Sequence, residues 1–193
     1  MTAEALARAT AVAMGPGLTV REETRPLLEA VLACGKPCVL DADGLNLVAR
    51  HPECWRAKSA PTVLTPHAGE YERLRQAFGL PEARGRAEAA LALAARLGAV
   101  VALKGARTVV ATPEGDATCN LSGCPALATA GAGDVLTGLV AAFLAQGLAA
   151  PEAARLAVFL HGRAGESLSL PRGQHGFIAD DLPREVAALM RTL

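Results

Sequence analysis

Short apolar runs alternate with longer amphipathic ones along this chain, and the alternation predicts an order of strands and helices. Residues 10–14 (TAVAM) read as a short strand ending in Gly15-Pro16-Gly17. Residues 22–34 have helical spacing, with Leu27, Leu28, Val31 and Leu32 on one side, and Gly35-Lys36-Pro37 stops them. Residues 38–41 (CVLD) predict the next strand, 45–50 a short helix, and 62–65 (TVLT) a third strand. A helix is expected from about 69 to 78. Gly79 and Pro81 break it, and an Ala/Leu-rich helix restarts over 84–97. Residues 99–103 (AVVAL) are unalternated, as suits a strand covered on both faces. Residues 108–111 and 117–120 flank Pro113-Glu114-Gly115-Asp116, a turn signal that predicts a β-hairpin. Only helices follow, over about 133–146, 151–168 and 181–190, with Pro151 suited to a first helical position.

Strands alternating with helices imply an α/β fold: a mostly parallel sheet, right-handed crossovers, helices on both faces, and a site at the carboxyl ends of the strands. The chemistry-bearing segments fall where that rule demands. Gly15-Pro16-Gly17, Asp41-Ala42-Asp43-Gly44, Pro66-His67 and Lys104-Gly105 each follow a predicted strand.

Composition narrows the function. The 193 residues carry 19 Lys+Arg against 19 Asp+Glu, and 51% are hydrophobic. That length suits one domain with a sizeable core, and the apolar share excludes a disordered chain. Zero net charge disfavours a general nucleic-acid or anionic-membrane binder, because neutralising phosphates needs clustered Lys and Arg. Four Phe, one Tyr and one Trp leave little for base stacking. No run approaches the roughly 20 apolar residues of a membrane span. The amino-terminal MTAEALARATAVAM has an early Glu and no basic segment ahead of an apolar one, so no signal peptide is expected and a cytoplasmic protein is. Cys34, Cys38, Cys54, Cys119 and Cys124 form no CxxC pair and are expected as buried, reduced thiols. The four histidines show no metal-ligand spacing, and no protein metal site is expected.

The strongest motif is Thr129-Ala130-Gly131-Ala132-Gly133-Asp134-Val135-Leu136, a glycine-rich turn opening into an apolar helix. Glycine lets backbone approach a ligand closely, and the free N–H groups of a first helical turn favour a phosphate or a developing anion. Asp134, inside that turn, can accept a proton from a hydroxyl; an Asp there also serves as a helix cap. Lys104 and Gly105 at a strand end suit a polyphosphate, or a plain hairpin with one surface Lys. His67, Asp43 and Asn46 fit either ligand contacts or helix caps, and Gly17 either a ligand approach or a tight turn.

GAGD at a helix start resembles the signature of ribokinase-like small-molecule kinases. The wider set is narrower: GPGL at 15–18, VLDADGLNLVA at 39–49, LTPHAGEYERL at 64–74, LKGARTVV at 103–110 and GCPALATAGAGDVLTG at 123–138, then LHGRAGE at 160–166 and GFIADDLP at 176–183. In that order, over almost the whole chain, these blocks are similar to the ADP- or ATP-dependent NAD(P)H-hydrate dehydratases of the YjeF C-terminal-domain family. The resemblance implies a ribokinase-like three-layer αβα fold in which residues 1–193 form one domain lacking its amino-terminal βα units. It implies Asp134 as catalytic and substrate-contacting residue, with Gly17, His67, Asp43 and Asn46 toward the hydrated dinucleotide. Lys104, Gly105, Ala106, Arg107, Thr108, Gly131, Ala132 and Gly133 fall toward the adenine nucleotide. It further implies Mg²⁺ and ADP or ATP as co-substrate; association into a homo-oligomer is expected as well. Two other readings stay open: a true small-molecule kinase, and a silent nucleotide-binding relative. The chain departs from the family pattern at Thr19, where a glycine is frequent, and at Ala126 and Ala130, which replace glycines.

Overall fold

The structure, a computed structural model, describes residues 3–173 and 176–191; His175, one of the four histidines, lies outside them. Six strands form one sheet in sequential order: β1 (Val12–Met14), β2 (Cys38–Leu40), β3 (Thr62–Leu64), β4 (Val100–Leu103), β5 (Val109–Ala111) and β6 (Ala117–Cys119). β1 to β4 run parallel, Val12 beside Cys38, Cys38 beside Thr62 and Val63 beside Val100. β4, β5 and β6 pair antiparallel around the predicted hairpin, closed by Thr112 N–H donating to Asp116 O at 2.9 Å.

Side chains alternate across the pleat, so each strand feeds two cores. Leu40, Leu64, Val101, Leu103 and Val109 face one side, packed with Leu28, Val31 and Leu32 of α2 (Arg25–Ala33), Leu45 and Val48 of α3 (Ala42–Arg50), Leu74 of α4 (Ala68–Ala77), and Leu93 and Leu97 of α5 (Arg86–Leu97). Val39, Val63, Val100, Ala102 and Val110 face the other. There they meet α6 (Ala132–Ala145), α7 (Ala150–Arg172) and α8 (Leu182–Met190). Because the strands are laid down in one direction, every crossover helix falls on one face, and the last three helices cover the second. The result is the expected three-layer α/β arrangement.

Several element boundaries differ from the sequence reading. A short helix, α1, spans Ala3–Arg8 and a 3-10 turn spans Pro52–Ala57, neither evident in the apolar pattern. Helix α3 begins at Ala42, not Leu45, because Gly44 lets its first turn lie against β1, where a Cβ would sit 2.6 Å from the Met14 carbonyl oxygen. Helix α7 continues past Leu168 through Pro171 to Arg172, ending where Gly173 N–H donates to Ser169 O at 2.8 Å. All five cysteines are free, but Cys119 on β6 is exposed, correcting the expectation of buried thiols throughout. β6 is exposed along its length at the sheet edge, which leaves its side chains in solvent. Among the described residues no helix is long and apolar enough to cross a membrane.

Candidate active site at the carboxyl ends of the strands

The first wall is two strand ends in backbone contact. Gly15, at φ +137°, packs against the Asp41–Gly44 backbone: a Cβ there would overlap the Asp41 carbonyl oxygen and stand 2.9 Å from Gly44 N. Beyond it Gly17, at φ +70°, has open space around its missing side chain. Thr19 takes φ +65°, which explains why glycine suits that position. The left-handed turn is held by Asp43, whose Oδ2 accepts from Thr19 N–H at 2.9 Å. Asp43 Oδ1 accepts from Asn46 Nδ2 at 3.2 Å, and Asn46 Oδ1 accepts from Arg73 at 3.0 Å. Both side chains are thus engaged in tying the Gly17 loop to α3 and α4. Ala126 and Ala130 are absent from the residues with positive φ, so losing glycine there strains nothing.

The second wall is the end of β3. His67 caps α4: its Nδ1 accepts from Gly69 N–H at 3.0 Å and Glu70 N–H at 3.2 Å, which places the ring proton on Nε2, 3.3 Å from Glu70 Oε1. Glu70 closes the capping box by accepting from His67 N–H at 2.8 Å and is itself buried. The His67 ring stays 55% exposed, so cap and ligand contact are compatible in one residue.

The centre is an ion pair. Lys104 leaves the end of β4, its N–H donating to Pro66 O at 2.8 Å, and its Nζ donates to Asp41 Oδ1 at 2.6 Å. Asp41 is 1% exposed, and its other oxygen accepts from Thr137 Oγ1 of α6 at 2.7 Å. Glu70 Oε2 stands 3.9 Å from the same ammonium. Gly105, at φ +147°, makes room for the Arg86 guanidinium, which donates to Leu103 O at 2.6 Å and braces the turn from the α5 side. Arg107 is held at φ +58°, Ala106 and Arg107 stand exposed, and Thr108 Oγ1 donates to Gly105 O at 3.1 Å.

The glycine-rich turn closes over this pair. Gly131 caps α6 at φ +86°, with room for a Cβ only 3.1 Å from Ala179. A Cβ on Gly133 would stand 3.4 Å from Lys104 Nζ and 3.7 Å from Asp41 Oδ2, so the ion pair lies directly beneath the turn. Ala132 N–H donates to Thr129 O at 3.3 Å, and among the described residues the N–H groups of Gly133 and Asp134 are left as the unpaired donors of the first turn. Asp134, in that turn, is exposed, and among the described residues its carboxylate has no partner.

His161 of α7 fixes the turn from behind. Its Nε2 lies 2.9 Å from Ala132 O, and a carbonyl only accepts, so Nε2 carries the proton and donates. Burial holds this imidazole below its ordinary 6.5, against the favourable bond to Ala132, and the nearby Lys104 pushes the same way. The native state therefore binds fewer protons than the unfolded chain. Its contribution is whole above pH 6.5 and is lost as pH falls through the folded value. The midpoint of thermal unfolding should drop more between pH 7 and pH 5 in the native chain than in His161→Gln, which keeps a donor but does not titrate; equal drops would remove this assignment.

The fold thus gathers Gly17, Asp43, Asn46, His67, Lys104, Gly105 and Gly131 to Asp134 at one end of the sheet, while Ala106, Arg107 and Thr108 stand on its rim. Thr137, Glu70, Arg86 and His161 complete the site and were not singled out from sequence. Asp41 was placed in a chemistry-bearing segment at a strand end, but no role was assigned to it. Unpaired N–H donors, an ammonium below them and an open carboxylate beside them are what phosphoryl transfer to a hydroxyl requires.

Comparison with known proteins identifies the family. The chain is 48% identical over 183 residues to a bifunctional NAD(P)H-hydrate repair enzyme of Thermofilum pendens, covering 94% of this chain and 35% of that protein. It therefore spans about a third of that relative's length. Its structure matches the ADP/ATP-dependent NAD(P)H-hydrate dehydratase of Bacillus subtilis co-crystallised with ATP/Mg²⁺ and soaked with CoA. The TM-score is 0.83 at 34% identity, over 97% of this chain and 70% of that one. A ribokinase-like superfamily protein of Enterococcus faecalis matches with TM-score 0.83 at 26% identity, over 98% of this chain and 65% of that one. The fold is ribokinase-like, and with the family model for NAD(P)H-hydrate dehydratase matching residues 1–187, the chain belongs to the NAD(P)H-hydrate dehydratase family.

Proposed function

We propose that this chain dehydrates hydrated NAD(P)H to NAD(P)H at the expense of ADP or ATP, a repair reaction. The observation that carries the reading is the open Asp134 carboxylate in the same helical turn as the unpaired Gly133 and Asp134 N–H groups, above the Lys104 ammonium. Hydroxide is a poor leaving group, so the ring hydroxyl must be converted to a better one. Asp134 accepts the hydroxyl proton as the oxygen attacks the terminal phosphorus. The bond to the bridging oxygen breaks, and its electron pair leaves with AMP, or with ADP when ATP is used. The turn N–H groups and Lys104 hold the negative charge of the transferring group. The ring nitrogen lone pair then expels phosphate, and loss of a proton from the adjacent ring carbon restores the double bond of NAD(P)H.

In this reading Lys104, Gly105, Ala106, Arg107 and Thr108, with Gly131, Ala132 and Gly133, line the nucleotide side. Gly17 and the exposed His67 ring face the dinucleotide, with Asp43 and Asn46 holding the loop that presents Gly17. Among the described residues no three His, Cys, Asp or Glu side chains gather as a metal cage, and the Asp41 carboxylate is taken by Lys104 and Thr137. That donor set fits Mg²⁺ arriving on the nucleotide, since Mg²⁺ commonly binds through phosphate oxygens and water. Bound so, it would neutralise phosphate charge. Residues 1–193 act as part of one ribokinase-like domain, in a cytoplasmic setting, and the exposed β6 edge supports association between copies.

The deciding experiment incubates the chain with hydrated NADH, ADP and Mg²⁺. Recovery of dihydronicotinamide absorbance together with release of AMP and phosphate is expected. A stable phosphorylated product would make the chain a kinase, and ADP binding without turnover a silent relative.

A further inference from the structure

We propose that Asp41 is a positioning residue for the nucleotide phosphates, acting through Lys104; the proposal rests on the assignment of Lys104 to the nucleotide side. The N-terminus of α6 carries the positive end of the helix dipole, so an unpaired ammonium is disfavoured beneath it. Yet Lys104 Nζ lies there, 3.4 Å from where a Cβ on Gly133 would stand. Asp41 makes that placement favourable. Its carboxylate is 1% exposed and joins the ends of two strands to the helix: Lys104 from β4 at 2.6 Å on one oxygen, Thr137 from α6 at 2.7 Å on the other. Its own N–H is held by Met14 O of β1 at 3.1 Å.

The charges facing Lys104 define what happens without Asp41. His161, on the α7 side, has its pKa lowered by burial and, as an imidazole, offers the ammonium no negative charge. Glu70 Oε2, 3.9 Å away on the α4 side, is among the described residues the other carboxylate within 4 Å of the ammonium. Loss of the Asp41 charge therefore lets Lys104 turn toward Glu70 and away from the turn that receives the phosphate. Asp41 thus sets the direction of a cation it would otherwise only neutralise, and touches no substrate itself.

The test measures ADP–Mg²⁺ dissociation constants by titration calorimetry for the native chain, Asp41→Asn, Lys104→Met and the double variant. Asp41→Asn should weaken ADP about tenfold, as loss of one charge-assisted phosphate contact does. The same change in the Lys104→Met background should shift affinity by less than about twofold, because residues acting through one contact are not additive. A purely structural role would lower the melting temperature and leave the dissociation constant unmoved. That result, or losses that add, overturns the proposal. If Asp41→Asn is not recovered folded, Thr137→Val carries the same comparison: it removes one of the two ties on Asp41, should weaken ADP in the native background, and should do nothing in Lys104→Met. Absence of NADH recovery by the native chain would overturn the dehydratase reading and leave these binding comparisons standing.

Discussion

Asp134→Asn is expected to lower turnover of hydrated NADH by on the order of 10²–10⁴-fold, the usual contribution of a positioned general base. Binding of ADP should be retained or slightly tightened. The carboxylate is exposed and, among the described residues, has no hydrogen-bond or ion-pair partner to lose, so the fold should absorb the change. Removing a negative charge beside a phosphate relieves repulsion instead of weakening attraction. Asn preserves shape and position in the first turn of α6 but cannot take up a proton at neutral pH. Parallel calorimetry and turnover assays check the pair of outcomes. Near-normal turnover would remove Asp134 as the base, and loss of both would point to a damaged turn.

Gly15→Ala should be the most destabilising single substitution at this site, costing more than about 4 kcal/mol or preventing folding. Two penalties combine. The backbone sits at φ +137°, where L side chains are strained, and the added Cβ would meet Asp41 C at 2.7 Å and Gly44 N at 2.9 Å. All the obstructing atoms are backbone, so no side chain can rotate away. Gly44 stands in the reciprocal position against Met14 O, and moving either glycine would part β1 from the start of α3. Gly17→Ala is the internal comparison. At φ +70° with nothing within 4 Å, it should cost only about 1–2 kcal/mol of backbone strain. Urea melts of the two variants check the difference; equal costs would show that strain, not the close approach, governs the turn.

These two glycines show how far the sequence could be read. Gly15-Pro16-Gly17 announced a turn after a strand, because Pro and Gly restrict the chain locally. Nothing local separates Gly15, which needs its missing side chain for packing, from Gly17, which needs it for conformation and access. The separation comes from Asp41 and Gly44, across a parallel crossover. Thr19 is similar. The departure from glycine was visible in the chain, but the left-handed backbone and the Asp43 bond that holds it were not.

The order of strands and helices, the placement of chemistry at strand ends and the glycine-rich helix start were all set by local pattern. Apolar periodicity fixes which face of each element is buried, and turn residues mark most of the ends, though α7 runs on through Pro171 and α3 starts where its packing against β1 sets it. Even the exposed Asp134 follows from its place in the first turn of an apolar helix. Tertiary structure alone decided what lies beneath that turn. Asp41, Lys104 and Thr137 are separated by 63 and 96 positions from Asp41 outward. They meet only because parallel β2 and β4 end at the same level and α6 crosses above them. A buried carboxylate requires such partners, and no local signal names them, because the energy that pairs them is released only when water has left the assembled site.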